Sequence, residues 1–170
     1  MLILPREELR SKIIENPKKH NAIIIGASEL ELLGLSSFCK ESLVVTFKDI
    51  VNPDKENAPT LDKVKGCIDW GVDKEDLLVS CAAGISRSSA IAYLIECARS
   101  ESPEASISVL DVRRHRPNQL ILCYGSQILG KDIITPIYEL YMNELENKPH
   151  DLNLKYYFMD LNTVKDKFIG

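Results

Sequence analysis

The sequence predicts an α/β protein, with a central sheet of about four to five strands flanked by helices. In the first half of the chain, short β-branched apolar runs alternate with segments of helical apolar spacing, and the second half is mostly of helical spacing. A chain of 170 residues with 45% hydrophobic content can bury one apolar core. We therefore expect a single domain spanning residues 1–170.

The first elements alternate between strand and helix. Residues 1–4 predict a short edge strand, and residues 5–15 predict a helix because Pro opens the segment and two Glu follow in its first turn. Residues 23–25 and 43–47 are rich in β-branched side chains and predict two buried strands. Residues 29–40 have weak helical spacing, and the ends of any helix there stay open.

A loop and a second strand-helix unit follow. Residues 48–59 carry two prolines, two asparagines and several charges, which is typical of an exposed loop. Thr60 then predicts the N-cap of a helix that ends near Trp70. Residues 77–79 predict a short strand, and from Ser88 onward small and apolar residues recur at helical spacing. The predicted order here is strand, tight loop, helix.

The remaining chain is predicted to be helical. Residues 103–114, 118–129 and 135–146 form three apolar-periodic segments with Pro or Gly near their boundaries. The tail after Pro149 mixes aromatic and charged residues. It could dock on the body of the protein or on a second copy, and the sequence favours neither.

Composition restricts the partners. The 25 acidic residues outnumber the 21 basic ones, and no stripe of Lys and Arg suggests a nucleic-acid footprint. No apolar run approaches the roughly 20 residues of a membrane span, and the N-terminus lacks the pattern of a secretory signal. We therefore expect a cytoplasmic protein that binds neither nucleic acid nor membrane.

The cysteines suggest neither disulfides nor a metal site. They are odd in number, widely spaced, and without a CxxC pair or a His at ligand spacing. We expect four of the five to be small buried hydrophobic residues: Cys39, Cys67, Cys97 and Cys123. Only Cys81 has surroundings that indicate chemistry.

Residues 79–89 read Val-Ser-Cys-Ala-Ala-Gly-Ile-Ser-Arg-Ser-Ser, in a predicted strand-to-helix turn. A loop at a helix N-terminus directs backbone N–H groups and the positive end of the helix dipole toward one point, which favours an oxyanion. Gly84 permits a sharp turn, and Arg87 can hold two phosphate oxygens with its planar fork. We expect residues 82–87 to bind phosphate: Ala82, Ala83, Gly84, Ile85, Ser86 and Arg87.

The same field should favour the thiolate of Cys81, with a pKa brought from about 8.5 into a range of roughly 3.5 to 7.5. A thiolate can attack phosphorus and form a phosphocysteine. The hydroxyl of Ser88, in the first helical turn, can donate to the sulfur when it leaves. Water then completes the turnover.

Cys81, Arg87 and Ser88 resemble the Cys-X5-Arg-Ser/Thr signature of protein tyrosine and dual-specificity phosphatases. The run from Ala83 to Ser88 is most similar to compact dual-specificity members, and segments 47–70 and 116–130 also resemble small microbial members. The resemblance covers about residues 20–145. Low-molecular-weight tyrosine phosphatases carry their loop near the N-terminus, and rhodanese-type sulfurtransferases usually have a shorter loop. The resemblance implies the dual-specificity phosphatase fold, no cofactor and no metal.

The reaction also needs a carboxyl group that protonates the leaving oxygen and later activates water. Asp49 is the first candidate because it directly follows the predicted strand 43–47, similar to the acid of dual-specificity phosphatases. Asp54 is the reserve, further along the same loop. Either could also be an ordinary solvated loop carboxylate.

One departure from the family pattern concerns Ser80, which stands where the family usually has His. A Ser can replace a hydrogen bond but supplies no imidazole. We therefore expect a higher pKa for Cys81 and slower turnover than in typical members, with hydrolysis retained. The same departure keeps open an alternative reading, a catalytically weak pseudophosphatase or phosphate-binding module.

Polar residues beyond the loop are weaker candidates for functional roles. The Arg-Arg-His-Arg run at 113–116 could complement a helix dipole, and its arginines could steer an anionic phosphoprotein. His115 could act as a base, and Asn118 or Gln119 could position water, but structural roles are the better expectation for each. Trp70 is expected in the core.

The predicted substrate is a phosphorylated protein or peptide. The loop has no lysine at its variable positions, which disfavours highly charged inositol phosphates. Phosphotyrosine is left as the main substrate, with phosphoserine and phosphothreonine as further candidates. We expect a monomer or a weak homo-oligomer.

Overall fold

The computed structural model describes residues 1–32, 34–100 and 102–168. Its strands are β1 (Leu2–Pro5), β2 (Asn21–Gly26), β3 (Ser42–Thr46) and β4 (Leu77–Cys81). Its α-helices are α1 (Arg6–Glu15), α2 (Leu61–Gly71), α3 (Arg87–Arg99), α4 (Pro103–Ser106), α5 (Gln119–Leu129), α6 (Ile134–Asn147) and α7 (Leu152–Phe168). The α/β class is confirmed.

The four strands of the described chain form one parallel sheet in the order β1-β4-β2-β3. Successive side chains of a strand point to opposite faces. In β2, Ile23 and Ile25 therefore enter a large core shared with α3, while Ala22 and Ile24 enter a smaller core that contains Leu9 of α1. Apolar layers on both faces explain why β2 is a continuous apolar run.

Strand β3 lies at one edge of the sheet, and all its residues are only half-buried. The prediction of a strand at 43–47 is confirmed, but the expectation that it is buried is wrong. Its outer side has no neighbouring strand. Phe47, just beyond β3, is fully buried.

The predicted start of α2 is confirmed in detail. Thr60 has extended backbone angles, and its Oγ1 accepts the N–H of Lys63 at 3.4 Å. The preceding loop, residues 48–59, is mostly exposed. Trp70, expected in the core, is partly buried and packs against the large apolar core. The ammonium of Lys74 lies 5.0 Å from the centroid of the Trp70 ring.

The segment 29–40 contains two short 3-10 helices, Glu29–Glu31 and Ser36–Phe38, and no α-helix in its described residues. Residue 33 of that segment lies outside the described residues. The weak helical spacing seen in the sequence thus corresponds to isolated turns.

The helix predicted over 103–114 is wrong in its second half. Helix α4 ends at Ser106, a 3-10 turn covers Ile107–Val109, and the chain then turns. Asp111 explains the break, because its carboxylate accepts the N–H of Arg113 at 2.9 Å and its own N–H donates to Nδ1 of His115 at 2.8 Å. Such local hydrogen bonds compete with helix continuation.

The bounds of α5 and α6 match their predictions within one residue. The tail after Pro149 forms helix α7. Leu154 and Leu161 of α7 are fully buried in the large core, and Tyr157 meets Tyr141 of α6 edge-on at 4.8 Å between ring centroids. The tail therefore docks on the body of its own chain. Among the described residues, no helix has both the length and the apolar character needed to cross a membrane.

Candidate functional site

The site lies where the parallel strands end. Strand β4 ends at Cys81 and α3 begins at Arg87, so the residues between them form a loop from the carboxyl edge of the sheet to a helix N-terminus. Cys81 is only 2% exposed. Ala82, Ala83 and Ile85 are exposed. Residues 81–87 are called the 81–87 loop below.

Hydrogen bonds from the rest of the protein hold the loop carbonyls outward. Three backbone N–H groups donate to them: Arg6 to Ala82 at 3.1 Å, Arg116 to Ile85 at 2.9 Å, and Asn118 to Ser86 at 3.2 Å. In peptide units whose carbonyls face the scaffold, the N–H groups face the opposite way. The loop thus has the shape of a concave nest of amides, which favours anions.

The hydrogen bonding of the loop N–H groups is consistent with a concave nest of amides. The N–H groups of Gly84 and Ser88 interact with the sulfur of Cys81. In the described parts of the chain, the backbone N–H groups of residues 82, 83, 85, 86 and 87 have no protein acceptor. A cluster of unsatisfied donors at a helix N-terminus is suited to an oxyanion.

Gly84 is required by the loop geometry. Its φ is +66°, in the left-handed region, and an added Cβ would lie 2.5 Å from the backbone nitrogen of Pro5. A side chain at this position would therefore meet both strain and a backbone clash. The loop presses against the end of β1, which no spacing rule in the sequence indicates.

Arg87 is buried, with 8% of its surface exposed. Its Nη1 donates to the carbonyl of Phe47 at 2.9 Å, which fixes the guanidinium beside the loop. Its Nε–H is buried and has no hydrogen-bond partner among the described residues. An unpaired, buried guanidinium donor next to a nest of amides is matched to a phosphate-like oxygen.

The thiol of Cys81 lies 3.1 Å from the hydroxyl of Ser88. Burial alone would raise the pKa of Cys81, but the Ser88 hydroxyl, the amides of Ser88 and Gly84, and the charge of Arg87 together outweigh it. The pKa of Cys81 is therefore lowered from its ordinary value of 9.0. The site favours a thiolate in a nearly closed environment.

The other cysteines behave as the sequence predicts. All are buried. Burial raises the pKa of Cys39, Cys67 and Cys97, so these thiols are kept neutral. Cys97 also receives hydrogen bonds, from Tyr93 and Ser106, but they do not outweigh its burial, whereas at Cys81 the hydrogen bonds and the charge of Arg87 do.

Asp49 lies against the 81–87 loop. Its Oδ1 accepts hydrogen bonds from the hydroxyl of Ser86 at 2.7 Å and from Nδ2 of Asn118 at 2.8 Å. The carboxylate is otherwise exposed, so one oxygen is held while the group still faces solvent. Asp54, the reserve candidate, is exposed further along the loop, where its N–H donates to Oδ1 of Asn52.

Asn118 has a larger structural role than its sequence position suggested. Its Oδ1 caps α5 by accepting the N–H of Ile121 at 3.1 Å, while its amide nitrogen holds Asp49. From the sequence, a structural role was the better expectation for Asn118 and positioning of water the alternative, with no contact to Asp49 foreseen. An available signal was the Pro-Asn pair before an apolar helical run, which is typical of an N-cap. Gln119 is buried at 8% exposure and borders a groove described below.

The basic run at 113–116 has structural contacts. His115 is buried, its Nδ1 accepts the N–H of Asp111, and burial and the neighbouring arginines lower its pKa. Arg116 is folded inward, with its guanidinium donating to the carbonyls of Val112 and His115 at 2.6 and 2.7 Å. Arg113 and Arg114 are exposed, and the expectation that the arginines of this run steer an anionic phosphoprotein stays a prediction.

Ser80 is fully buried, and as the residue before Cys81 on β4 its side chain points to the opposite face of the sheet. Its hydroxyl lies 3.4 Å from the carbonyl oxygen of Cys81. The Ser80 side chain thus adjoins the backbone of Cys81 and not its sulfur.

A groove of about 350 Å³ opens beside the loop that carries Asp49. It is lined by Val51 and Pro53 on one side and by Gln119, Leu120, Asp160 and Val164 on the other. The groove adjoins the site along α5 but is not lined by residues of the 81–87 loop. It is a separate feature from the amide nest.

The arrangement can hold a tetrahedral oxyanion with the Cys81 sulfur facing its centre. Donors surround the oxygen positions, and the Asp49 carboxylate lies at the rim. Within the described residues, no group of three or more His, Cys, Asp or Glu side chains is placed to hold a metal ion. Comparisons with protein-family models, curated proteins and solved structures found no match for this chain.

Proposed function

We propose that this chain is a cysteine-dependent phosphatase that hydrolyses phosphate monoesters on protein side chains through a phosphocysteine intermediate. The observation that carries the proposal is a thiol with a lowered pKa, 3.1 Å from the Ser88 hydroxyl, in a loop of inward amides at the start of α3. The buried and unpaired Nε–H of Arg87 supports it. The loop sequence also resembles the phosphatase signature, and the resemblance implies the corresponding fold.

In the first step, the Cys81 thiolate attacks phosphorus and the bond from phosphorus to the substrate oxygen breaks. The leaving oxygen takes its proton from the Asp49 carboxyl group, which the Ser86 hydroxyl and the Asn118 amide hold beside the loop. The amides of residues 82–87 and the guanidinium of Arg87 stabilise the transferring group. The products are the free alcohol or phenol and the phosphocysteine.

In the second step, water attacks the phosphorus of the phosphocysteine. The Asp49 carboxylate, now deprotonated, accepts a proton from that water. The sulfur–phosphorus bond breaks, inorganic phosphate is released, and the Ser88 hydroxyl donates a hydrogen bond to the departing thiolate. The enzyme returns to its starting protonation state.

Phosphotyrosine is the substrate we favour, with phosphoserine and phosphothreonine as further candidates. The loop offers apolar Ala82, Ala83 and Ile85 and no lysine, so it lacks the extra cations that a highly charged inositol phosphate would need. Ile85 is 41% exposed and can contact an aromatic ring beside the phosphate. Rates on phosphotyrosine and phosphoserine peptides of the same sequence would separate the classes.

The proposal is tested by phosphate release from p-nitrophenyl phosphate. We expect hydrolysis by the natural protein and a loss of at least about 10⁴-fold in Cys81→Ser, because the nucleophile is removed. The matched control is Cys67→Ala, which alters another buried cysteine of the same core and should retain activity. Tight phosphate binding without any Cys81-dependent release would overturn the proposal and favour the phosphate-binding module.

A further inference from the structure

The segment 116–118 connects two parts of the site. It has no helical or strand structure, yet its Arg116 and Asn118 amides hold the carbonyls of the 81–87 loop. The Asn118 side chain also holds the Asp49 carboxylate at 2.8 Å. A shift of this short segment would therefore move both the loop that binds phosphate and the proposed acid.

The segment is itself held by the last two helices. The hydroxyl of Tyr157, on α7, donates to the carbonyl of Pro117 at 2.9 Å. The hydroxyl of Tyr141, on α6, donates to the carbonyl of His115 at 2.6 Å. The guanidinium of Arg116 lies near both rings, 5.5 Å from the centroid of Tyr141 and 5.9 Å from that of Tyr157.

The contact of Tyr157 is well suited to fixing the segment. Its ring is 9% exposed, and burial raises its pKa well above the ordinary 10.0, so the phenol is a hydrogen-bond donor at neutral pH. Pro117 is buried, and a buried carbonyl that loses its donor is costly. The chain around Pro117 thus has a strong reason to stay where the Tyr157 hydroxyl places it.

We propose that Tyr157 is a positioning residue for the site: through Pro117 it keeps segment 116–118 in the place where Asn118 can hold Asp49 and the loop. The proposal rests on the proposed phosphatase function for its kinetic consequence. Tyr157 touches neither the sulfur nor the phosphate position directly. Its effect should therefore resemble a displaced acid and not a lost nucleophile.

The main test compares kcat/KM of Tyr157→Phe on two substrates. Phenyl phosphate has a leaving group that needs a proton, whereas 2,4-dinitrophenyl phosphate has one that leaves without it. We expect a loss of about tenfold on phenyl phosphate and about threefold on the dinitrophenyl ester, because a shifted segment loosens the phosphate-binding loop for both substrates but impairs acid catalysis only for the first. Equal losses on both substrates would overturn the proposal.

Tyr93→Phe is the matched control. Tyr93, on α3, is fully buried and its hydroxyl donates to the carbonyl of Ile133 at 2.9 Å, so the variant loses the same kind of bond elsewhere. We expect it to lower the Tm as Tyr157→Phe does while leaving the ratio of the two kcat/KM values unchanged. A ratio altered as strongly in Tyr93→Phe would indicate general destabilisation and overturn the assignment.

A double variant tests the route through Asp49. In an Asp49→Asn background, Tyr157→Phe should cost only about threefold further on phenyl phosphate, because the acid that it positions is already gone and only the effect on the loop remains. A full additional loss of about tenfold would show that Tyr157 acts independently of Asp49. That result would overturn the proposal.

Hydrogen exchange does not depend on catalytic turnover, so it tests the positioning role of Tyr157 separately from the proposed phosphatase function. Inactivity of the natural protein would sink the phosphatase assignment and leave hydrogen exchange to decide the positioning role. We expect the amides of Arg116 and Asn118 to exchange about tenfold faster in Tyr157→Phe than in the natural protein, and to be unchanged in Tyr93→Phe. Unchanged exchange in Tyr157→Phe would overturn the positioning role whatever the activity.

Discussion

Cys67 and Cys81 lie in the same apolar core and are almost equally buried, at 0% and 2% exposure. Their thiols nevertheless differ in the direction of the pKa shift. Burial raises the pKa of Cys67 to about 12. At Cys81 burial acts the same way, but hydrogen bonds from Ser88 and Gly84 and the charge of Arg87 reverse the result.

The comparison shows that the hydrogen-bond donors and charges around a buried thiol set the direction of its pKa shift. Cys67 lies inside α2, where backbone N–H groups are used by the helix. Cys81 ends a strand, and the chain then turns into the first turn of α3, where N–H groups have no helical acceptor. The same side chain is inert in one place and activated in the other.

The largest expected difference is in alkylation by iodoacetamide. Because the pKa of Cys67 is about 12 and that of Cys81 lies below 9.0, their thiolate fractions at pH 7 should differ by about a thousandfold or more. Peptide mapping by mass spectrometry should find label on Cys81 first, and phosphate should protect it. Comparable labelling of Cys67 in the folded protein would break the comparison.

The pH dependence of that labelling has a defined sign. A lowered pKa means that the thiolate is present above the pKa of the folded protein and is lost as pH falls through it. Labelling and phosphocysteine formation should both decline on that acid limb. A midpoint above the ordinary value of 9.0 would contradict the lowered pKa of Cys81.

A smaller effect is expected at Asp49. Asp49→Asn should lower the rate on phenyl phosphate by about 10²-fold, since a general acid contributes at least that much. Cys81 alkylation should stay unchanged, because Asp49 contacts Ser86 and Asn118 and not the sulfur. Asp54→Asn is the matched control, and a larger loss there would move the acid assignment to Asp54.

The smallest effect is expected for Ser88→Ala. This change removes a hydrogen-bond donor from the Cys81 thiol and so makes its surroundings more like those of Cys67. Loss of the hydroxyl at 3.1 Å should raise the pKa of Cys81 and slow phosphocysteine hydrolysis about tenfold. Stopped-flow bursts and alkylation profiles would measure both. Ser126→Ala, whose hydroxyl bonds to the carbonyl of Lys131, serves as control. An unmoved pKa would contradict this account of the activated thiol.

The sequence predicted well those features that depend on residues close to one another in the chain. The order of β4, loop and α3, and the inert character of Cys67, follow from periodicity and spacing within short windows. The Thr60 cap is equally local. Such features depend on neighbours in the chain, so a pattern along the sequence contains them.

What it could not predict was mostly long-range. The bond from Arg87 to Phe47 joins residues 40 positions apart, and the bond from Asn118 to Asp49 joins residues 69 apart. Neither pairing has a local signature, because each depends on how strands and loops meet in space. The sequence therefore left Asp49 and Asp54 as alternatives.

Helix α7 is an intermediate case. Leu154, Tyr157 and Leu161 are buried at spacings of three and four, which is a helical pattern. The charged residues around them mask this spacing, so the sequence indicated only a tail of mixed aromatic and charged residues. Its contact with Pro117 is tertiary and could not be inferred from periodicity.

The outward hydrogen bonds of the 81–87 loop have one more consequence. They come from Arg6 near the start of the chain and from Arg116 and Asn118 beyond its middle, while the Arg87 side chain is fixed by Phe47. The lowered pKa of the Cys81 thiol therefore depends on contacts from segments that lie far apart in the sequence. We expect a partly assembled chain to lack this shift, so the rate of Cys81 alkylation should follow the assembly of these segments.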